Sequence, residues 1–97
     1  LRVVDCGKKV RRVALCSGSG MWLFPEAIKA GCDTFLTGEA KYSSMLDARE
    51  QGVNLVIAGH YATEAVVVPA VRAFLAQRFP ELEIAESKKQ RTPFYAF

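Results

Sequence analysis

The pattern of apolar and polar positions changes repeatedly along the chain, between short apolar runs and longer stretches with helical spacing. Three runs are typical of strands: residues 10–16 (VRRVALC), 32–38 (CDTFLTG) and 53–59 (VNLVIAG). Between them, residues 22–30 and 39–52 carry apolar side chains at three- and four-residue spacing, and Gly31 and Gly52 suit the positions just past two helix ends. This alternation predicts strands joined by crossover helices, and therefore a largely parallel sheet.

The two ends of the chain complete the pattern. Residues 61–79 predict a third helical segment, in which Pro69 causes either a kink or a break into two helices. Its predicted inward side consists of Val67, Val71, Phe74, Leu75 and Phe79. Residues 81–87 (ELEIAES) alternate like an edge strand, residues 1–6 (LRVVDC) predict a strand, and residues 92–97 (TPFYAF) predict a final extended piece. The predicted order is β-β-α-β-α-β-α-β, an α/β fold whose mostly parallel or mixed sheet is flanked by helices.

Composition places the chain among soluble globular domains. Its 97 residues are 51% apolar and 24% charged, which predicts a single domain over residues 1–97 with a marginal core and a tendency to associate. No apolar run reaches the roughly 18 to 20 residues that a membrane span needs. The chain begins at Leu1 without an initiator methionine, from which we expect a truncation, a processed product or a fragment of a longer protein.

Charge and cysteine content narrow the range of partners and compartments. The net charge is +3, and its clusters, Lys8–Lys9 with Arg11–Arg12 and Lys88–Lys89 with Arg91, lie in predicted loops without interleaved aromatic residues. This favours a solvated surface over a nucleic-acid site. Cys6, Cys16 and Cys32 form no C-x-x-C pair, which excludes a zinc knuckle and a thioredoxin-type motif. We expect buried, reduced thiols and a cytoplasmic protein.

Three glycine-containing segments follow the three predicted parallel strands. They are SGSG at residues 17–20, TGE at residues 37–39 and GH at residues 59–60. Because ligands of such sheets bind outside the carboxyl ends of the strands, these segments predict one shared site.

The first two segments offer an anion site and a carboxylate. Gly18 and Gly20 permit positive φ angles, so that N–H groups of Ser17 to Gly20 could face an anion, although the segment could equally be a plain turn. Leu23 occupies the third glycine position of G-x-G-x-x-G, and no lysine follows in Walker A spacing. Glu39 opens the predicted second helix, where it either caps the helix or contacts a substrate.

The third segment contains the only histidine, His60, with Glu64 four residues later. On the first turn of a helix this spacing places both side chains on one face. An imidazole and a carboxylate so placed can hold one divalent ion, or one each of a close pair. Alternatively, His60 caps the helix and Glu64 is a solvated acid of its first turn.

Four segments together, VALCSGSG, AGCDTFLTGEAKY, DAREQGVNLVIAGHYATE and the closing TPF, closely resemble the YbgI-like family of Nif-three-like dinuclear-metal proteins. These proteins are also called type-2 homologues of GTP cyclohydrolase. The resemblance covers residues 10–97, and its most specific elements are G-S-G, T-G-E and G-H-x-A-T-E in that order. It implies two interwound α/β halves, of which this chain is the C-terminal one, a centre with two divalent metals, and ring-shaped homo-oligomers, typically hexamers.

The resemblance also implies roles for individual residues. His60 and Glu64 match metal ligands, while Ser17, Gly18, Ser19, Gly20 and Glu39 match segments that border the site. The remaining ligands, two histidines and an aspartate, are expected in the N-terminal half, which is therefore the expected partner. Some relatives carry a histidine at the position of Ser43, so a substrate role there is in doubt.

These observations predict part of a divalent-metal-dependent hydrolase that is inactive alone. The metals would be Zn, Mn, Fe or Mg, and the substrate a small phosphate- or purine-like molecule. The alternative is a non-catalytic assembly module with a vestigial metal site.

Overall fold

Four strands form one mixed sheet in the computed structural model, which describes residues 1–95. The strands are β1 (Arg2–Val4), β2 (Val13–Cys16), β3 (Thr34–Thr37) and β4 (Asn54–Ile57). Their order is β1-β4-β3-β2, in which β2, β3 and β4 run parallel and β1 is antiparallel to β4. The predicted α/β class with a mixed sheet is confirmed, whereas the predicted interwinding with a second half stays a prediction.

Within residues 1–95, four α-helices and one 3₁₀ helix connect and follow these strands. A 3₁₀ helix at Gly20–Leu23 leads into α1 (Phe24–Lys29), and the later helices are α2 (Tyr42–Gln51), α3 (His60–Ala65) and α4 (Val67–Arg78). The chain therefore breaks at Val66, as one of the two alternatives for Pro69 predicted. In α4, Pro69 lies in the first turn, where a missing N–H costs no intrahelical hydrogen bond.

The buried core lies between one face of the sheet and helices α1 and α2. It consists of Phe24, Ala27, Phe35, Ala48, Val53, Leu55 and Ile57. The rings of Phe24 and Phe35 meet edge to face with centroids 5.6 Å apart, which fixes α1 against β3. Phe35 and Leu55 lie side by side in the central strands, so the core is centred on β3 and β4.

The opposite face of the sheet carries an apolar row that the described chain leaves largely open. Val3, Val56, Leu36 and Leu15 lie side by side across all four strands. Val3 is 55% exposed and Leu15 is 68% exposed, at the two ends of the row. At the amino ends of the strands, by contrast, the polar Asn54 is buried. Its side chain accepts a hydrogen bond from the Cys6 N–H and donates one to the Lys8 carbonyl, which holds residues 6–8 beside it.

The C-terminal part of the chain departs from the sequence-based prediction. Residues 81–87 form no strand; their contact with α4 is made by Arg72, whose side chain donates to the Ile84 carbonyl at 3.2 Å. The predicted inward side of α4 is not buried, since Val67, Val71, Phe74 and Phe79 are all exposed, and Leu75 is half-buried. The prediction that this side of α4 faces inward is therefore wrong within residues 1–95, where most of it remains uncovered.

Three smaller corrections concern α2, the cysteines and the final residues. Helix α2 begins at Tyr42, later than predicted, and buries Ala48, whereas Tyr42 and Leu46 are exposed. The three cysteines are free and half-buried rather than buried. Residues 92–95 contain neither helix nor strand, and Ala96 and Phe97, part of the predicted extended piece, lie outside the described residues. None of the helices within residues 1–95 is long and apolar enough to cross a membrane.

Candidate functional site

The three glycine-containing segments meet at the carboxyl edge of the sheet, as predicted. Backbone hydrogen bonds join them: the Gly38 N–H donates to the Gly18 carbonyl at 2.9 Å, and the Gly59 N–H donates to the Gly38 carbonyl at 2.8 Å. Gly38 has no room for a side chain, because a Cβ there would lie 2.6 Å from the Gly18 carbonyl oxygen. The glycines thus allow the three loops to pack directly backbone to backbone.

His60 lies on this edge, between two carboxylates. It is the first residue of α3, directly after Gly59, whose φ of 96° turns the chain from the strand into the helix. The ring nitrogen Nδ1 lies 2.9 Å from Glu39 Oε1, and Nε2 lies 3.1 Å from Glu64 Oε1. The structure therefore brings His60, Glu64 and Glu39 together. The capping alternative for His60 is wrong, since its side chain makes no cap hydrogen bond.

The protonation of the imidazole follows from these contacts. A carboxylate only accepts hydrogen bonds, so Nδ1 carries the proton that is donated to Glu39. In the neutral ring the Nε2 lone pair would then face a Glu64 oxygen, which is favourable only with a proton or a metal cation there. Accordingly, the hydrogen bond to Glu39, together with the nearby Glu64 carboxylate, raises the pKa of His60 above its usual value.

Gly18 allows the loop backbone to pass close to this pair. It adopts a positive φ of 61°, and a Cβ at this position would lie 3.1 Å from His60 Nε2 and would press on the Glu64 carboxylate. The Gly18 N–H donates to the Thr63 hydroxyl at 3.0 Å, which fixes the loop against α3. A glycine is therefore favoured at residue 18 both by backbone conformation and by the nearness of His60 Nε2 and the Glu64 carboxylate.

The glycine N–H groups of the SGSG segment form hydrogen bonds within the fold instead of facing an anion. The Gly20 N–H donates to the Thr37 hydroxyl at 3.0 Å, and Gly20 does not adopt a positive φ. Because the N–H groups of Gly18 and Gly20 are both occupied internally, the predicted row of free N–H donors is wrong at these two positions. Ser17 is exposed and its side chain forms no hydrogen bond within residues 1–95, while Ser19 borders a cleft beside the site.

Glu39 also differs from its predicted position. Helix α2 begins three residues later, so Glu39 lies in the loop before the helix and does not interact with its first turn. Its carboxylate instead accepts a hydrogen bond from the Nδ1–H group of His60. This arrangement matches a common feature of metal sites, in which a carboxylate orients a histidine from the side opposite the metal.

The donor set fits part of a divalent-metal site. His60 Nε2 and Glu64 Oε1 are an imidazole nitrogen and a carboxylate oxygen, a pair suited to Zn, Mn or Fe, and both side chains are about half exposed. Within residues 1–95, however, no three or more His, Cys, Asp or Glu side chains are arranged to hold a metal. The two atoms can therefore supply two ligands, and further ligands would have to come from elsewhere.

The sequence analysis missed two sets of residues at this edge. The Thr63 hydroxyl accepts from Gly18 and lies 2.9 Å from the Gly59 carbonyl, so it ties α3 to two loops. The C-terminal segment is held by the Tyr61 hydroxyl, which donates to the Gln90 carbonyl at 2.9 Å. Thr92 and Phe94 of this segment line a hollow of about 290 Å³ together with His60. The TPF sequence belongs to the family resemblance, but nothing in its spacing predicts this contact.

Comparisons with known proteins establish the relationship. The sequence profile of the Duf34/NIF3 (NGG1p interacting factor 3) family matches residues 1–93. The chain belongs to this family. The resemblance found in the sequence is thereby confirmed.

Individual NIF3 relatives agree with this assignment. A Pseudomonas aeruginosa protein called "GTP cyclohydrolase 1 type 2 homolog" is 42% identical over 77 residues, which are 79% of this chain and 31% of that protein. A homologue of the same name from Deinococcus radiodurans is 43% identical over 70 residues, or 72% of this chain and 27% of that protein. The crystal structure of Staphylococcus aureus protein SA1388 superposes with a TM-score of 0.87 at 31% identity, covering 99% of this chain and 33% of that one. This NIF3 chain therefore spans about a third of the length of the relatives it matches.

Proposed function

We propose that this NIF3 chain contributes His60 and Glu64 as two ligands of a divalent-metal centre in a larger hydrolase-type protein. The observation that carries the proposal is the pair of donor atoms, His60 Nε2 and Glu64 Oε1, 3.1 Å apart on one face of α3. A structural salt bridge would use the same two residue types, but a carboxylate on the opposite ring nitrogen, as Glu39 is on Nδ1, is the usual environment of a metal-binding histidine.

The neighbouring residues prepare the two ligands for this role. Glu39 holds Nδ1, so that Nε2 is the nitrogen directed at Glu64, and the ring cannot rotate without breaking the 2.9 Å contact. Both side chains of the His60–Glu64 pair are about half exposed, so a metal could reach them from solvent. When bound, a divalent metal supplies Lewis-acid polarisation of a carbonyl or phosphoryl oxygen and lowers the pKa of a bound water.

The remaining ligands and the partner belong to the same proposal. The curated relatives are about three times as long as this chain, which leaves room for an N-terminal part that carries the other ligands. The exposed apolar row on the sheet and the exposed side of α4 support association with that part, or with further copies in a homo-oligomer such as a hexamer. Two metals per complete centre, a small phosphate- or purine-like substrate and a cytoplasmic location complete the proposal, the last supported by the three free thiols.

Metal binding by the chain can be followed at its single histidine. Mn²⁺ prefers oxygen and nitrogen ligands over thiolates, so it should broaden the His60 ring signals in NMR spectra without binding the cysteines. Glu64→Gln should weaken this broadening, whereas the matched carboxylate change Glu83→Gln, on an exposed residue outside the site, should not. Equal broadening in both variants would refute a role for Glu64 as a ligand.

The alternative, an assembly module with a vestigial metal site, rests on the large exposed apolar area. It predicts that His60→Ala and Glu64→Ala leave both the oligomeric state and every function of the full-length protein unchanged. A screen of the full-length protein against phosphate esters with added Mn²⁺ or Zn²⁺ separates the two. Hydrolysis that either substitution abolishes supports the enzyme.

A further inference from the structure

A second hollow lies beside the His60 site at the same edge of the sheet. This cleft has a volume of about 610 Å³ and is bordered by Arg2, Ser19, Trp22, Glu39 and Lys41. Its size falls within the range of small-molecule sites. Arg2 and Glu39 also line the His60 hollow, so the two hollows share a wall. A molecule in the cleft would therefore lie next to the carboxylate that orients His60.

The charge of the cleft favours an anion. Arg2 reaches this edge because β1 runs antiparallel, which places its first residue opposite Ile57, the last residue of β4. Neither Arg2 nor Lys41 forms an ion pair or a side-chain hydrogen bond with any residue in 1–95. The one carboxylate in the wall, Glu39, is already engaged by the His60 ring. Two cations without partners thus face a cleft whose only acid is occupied.

The aromatic wall favours a planar ring. Trp22 lies in the 3₁₀ helix after the SGSG segment and is 74% exposed. The backbone of Trp22 is anchored at the cleft because the same short helix begins at the buried Gly20 and runs into α1 through the buried Phe24. An exposed indole beside cationic groups is a surface on which a flat heterocycle can stack.

We propose that this cleft binds a phosphorylated ligand with a planar aromatic ring, the ring stacked on Trp22 and the phosphate held by Arg2 and Lys41. A nucleoside monophosphate is the simplest molecule of this class. The proposal deepens the proposed function and rests on it only for the fate of the bound ligand, because the binding itself uses no metal ligand.

Trp22 is the only tryptophan of the chain, so its fluorescence reports on this cleft alone. Adenosine 5′-monophosphate, added without metal, should quench the emission saturably and bind more tightly than adenosine or ribose 5-phosphate, each of which carries half of the recognised chemistry. The double variant Arg2→Gln, Lys41→Gln should weaken binding of the monophosphate by about three- to thirtyfold, as expected for two exposed charge contacts. The affinity of this double variant for adenosine should stay unchanged.

Two controls separate this recognition from general electrostatics and from the metal proposal. The double variant Lys88→Gln, Lys89→Gln removes the same charge outside the cleft and should leave the monophosphate affinity unchanged. Trp22→Leu, followed by calorimetry, should weaken monophosphate and adenosine binding by about five- to a hundredfold while ribose 5-phosphate binding persists. Equal loss in both lysine-containing double variants, or adenosine and monophosphate binding with equal affinity, would overturn the proposal. Mn²⁺ broadening of His60 in the Arg2→Gln, Lys41→Gln variant tests the metal centre separately.

Discussion

Gly18→Ala is the substitution that most directly tests the arrangement of the metal-ligand pair. Gly18 and Gly7 both adopt positive φ angles, 61° and 69°, so an alanine at either position meets a similar backbone penalty. Their surroundings differ. A Cβ at residue 18 would lie 3.1 Å from His60 Nε2 and press on the Glu64 carboxylate, whereas a Cβ at residue 7 would meet nothing within 4 Å. Gly7→Ala is therefore a matched control for the backbone effect.

The expected loss of stability is similar in the two variants. A left-handed conformation costs a non-glycine residue about 1–2 kcal/mol. For a domain of this size, each kcal/mol lowers the melting temperature by about 4–8 °C, so both variants should melt roughly 4–16 °C below the parent chain. The additional clash at residue 18 involves the end of a flexible glutamate, which can rotate away at small cost. That rotation, however, separates Glu64 from His60.

The metal response should consequently differ between the variants, although their stabilities do not. Removing or displacing a group that orients a metal ligand typically costs 10–100-fold in affinity, so Gly18→Ala should raise the Mn²⁺ concentration needed to broaden the His60 signals by at least about tenfold. Gly7→Ala should leave that concentration unchanged. If the two variants respond to Mn²⁺ alike, the close approach of Gly18 to His60 and Glu64 has no part in metal binding, and the reasoning fails.

Three further predictions concern protonation and packing. Glu39→Gln replaces the carboxylate that raises the pKa of His60 with a neutral amide, a weaker acceptor, so an NMR titration of the ring should show a lower pKa. In the parent chain the stabilisation from the raised pKa is present below about pH 6.5 and is lost as pH rises through the folded-state value. Asp33 accepts hydrogen bonds from the Thr34 hydroxyl and from the backbone N–H groups of Arg11 and Arg12, and these bonds lower its pKa. The resulting stabilisation is present above the pKa of the unfolded chain and is lost as pH falls through the folded-state pKa. The melting temperature of Asp33→Asn should therefore change less than that of the parent chain between neutral pH and about pH 3. Phe35→Ala empties the centre of the core and should cost about 3–5 kcal/mol in urea unfolding, against less than about 0.5 kcal/mol for the exposed Tyr42→Ala.

The central part of the fold was predictable because its signals are local and agree with one another. The apolar runs ending at Cys16, Thr37 and Ile57, with glycine after each helix, specify strand–helix–strand units whose parallel pairing follows from crossover geometry. The terminal parts were predicted less well. Residues 81–87 alternate correctly for a strand, but a strand exists only with a hydrogen-bonding partner, and alternation does not state whether one is available.

The candidate site was likewise predictable only in part. The carboxyl-edge rule brought Gly18, Glu39 and His60 to one place without any knowledge of side-chain contacts. It could not predict that Glu39 bonds Nδ1 of a histidine 21 residues away, since this depends on where α2 begins. Arg2 was missed because the rule concerns parallel strands, whereas Arg2 arrives at the edge as the first residue of an antiparallel strand.

Because the chain supplies only two ligands, its metal affinity should differ from that of its longer relatives. One imidazole and one carboxylate on a half-exposed surface fill only two ligand positions of a metal ion and leave the others to water. The chain alone should therefore bind the metal weakly and reversibly. If a longer NIF3 protein supplies further ligands, its affinity should exceed that of the chain by far more than a factor of two, because its ligands are already brought together by folding. Similar affinities would mean that the additional sequence contributes no ligand, and His60 and Glu64 would then be a surface ion pair.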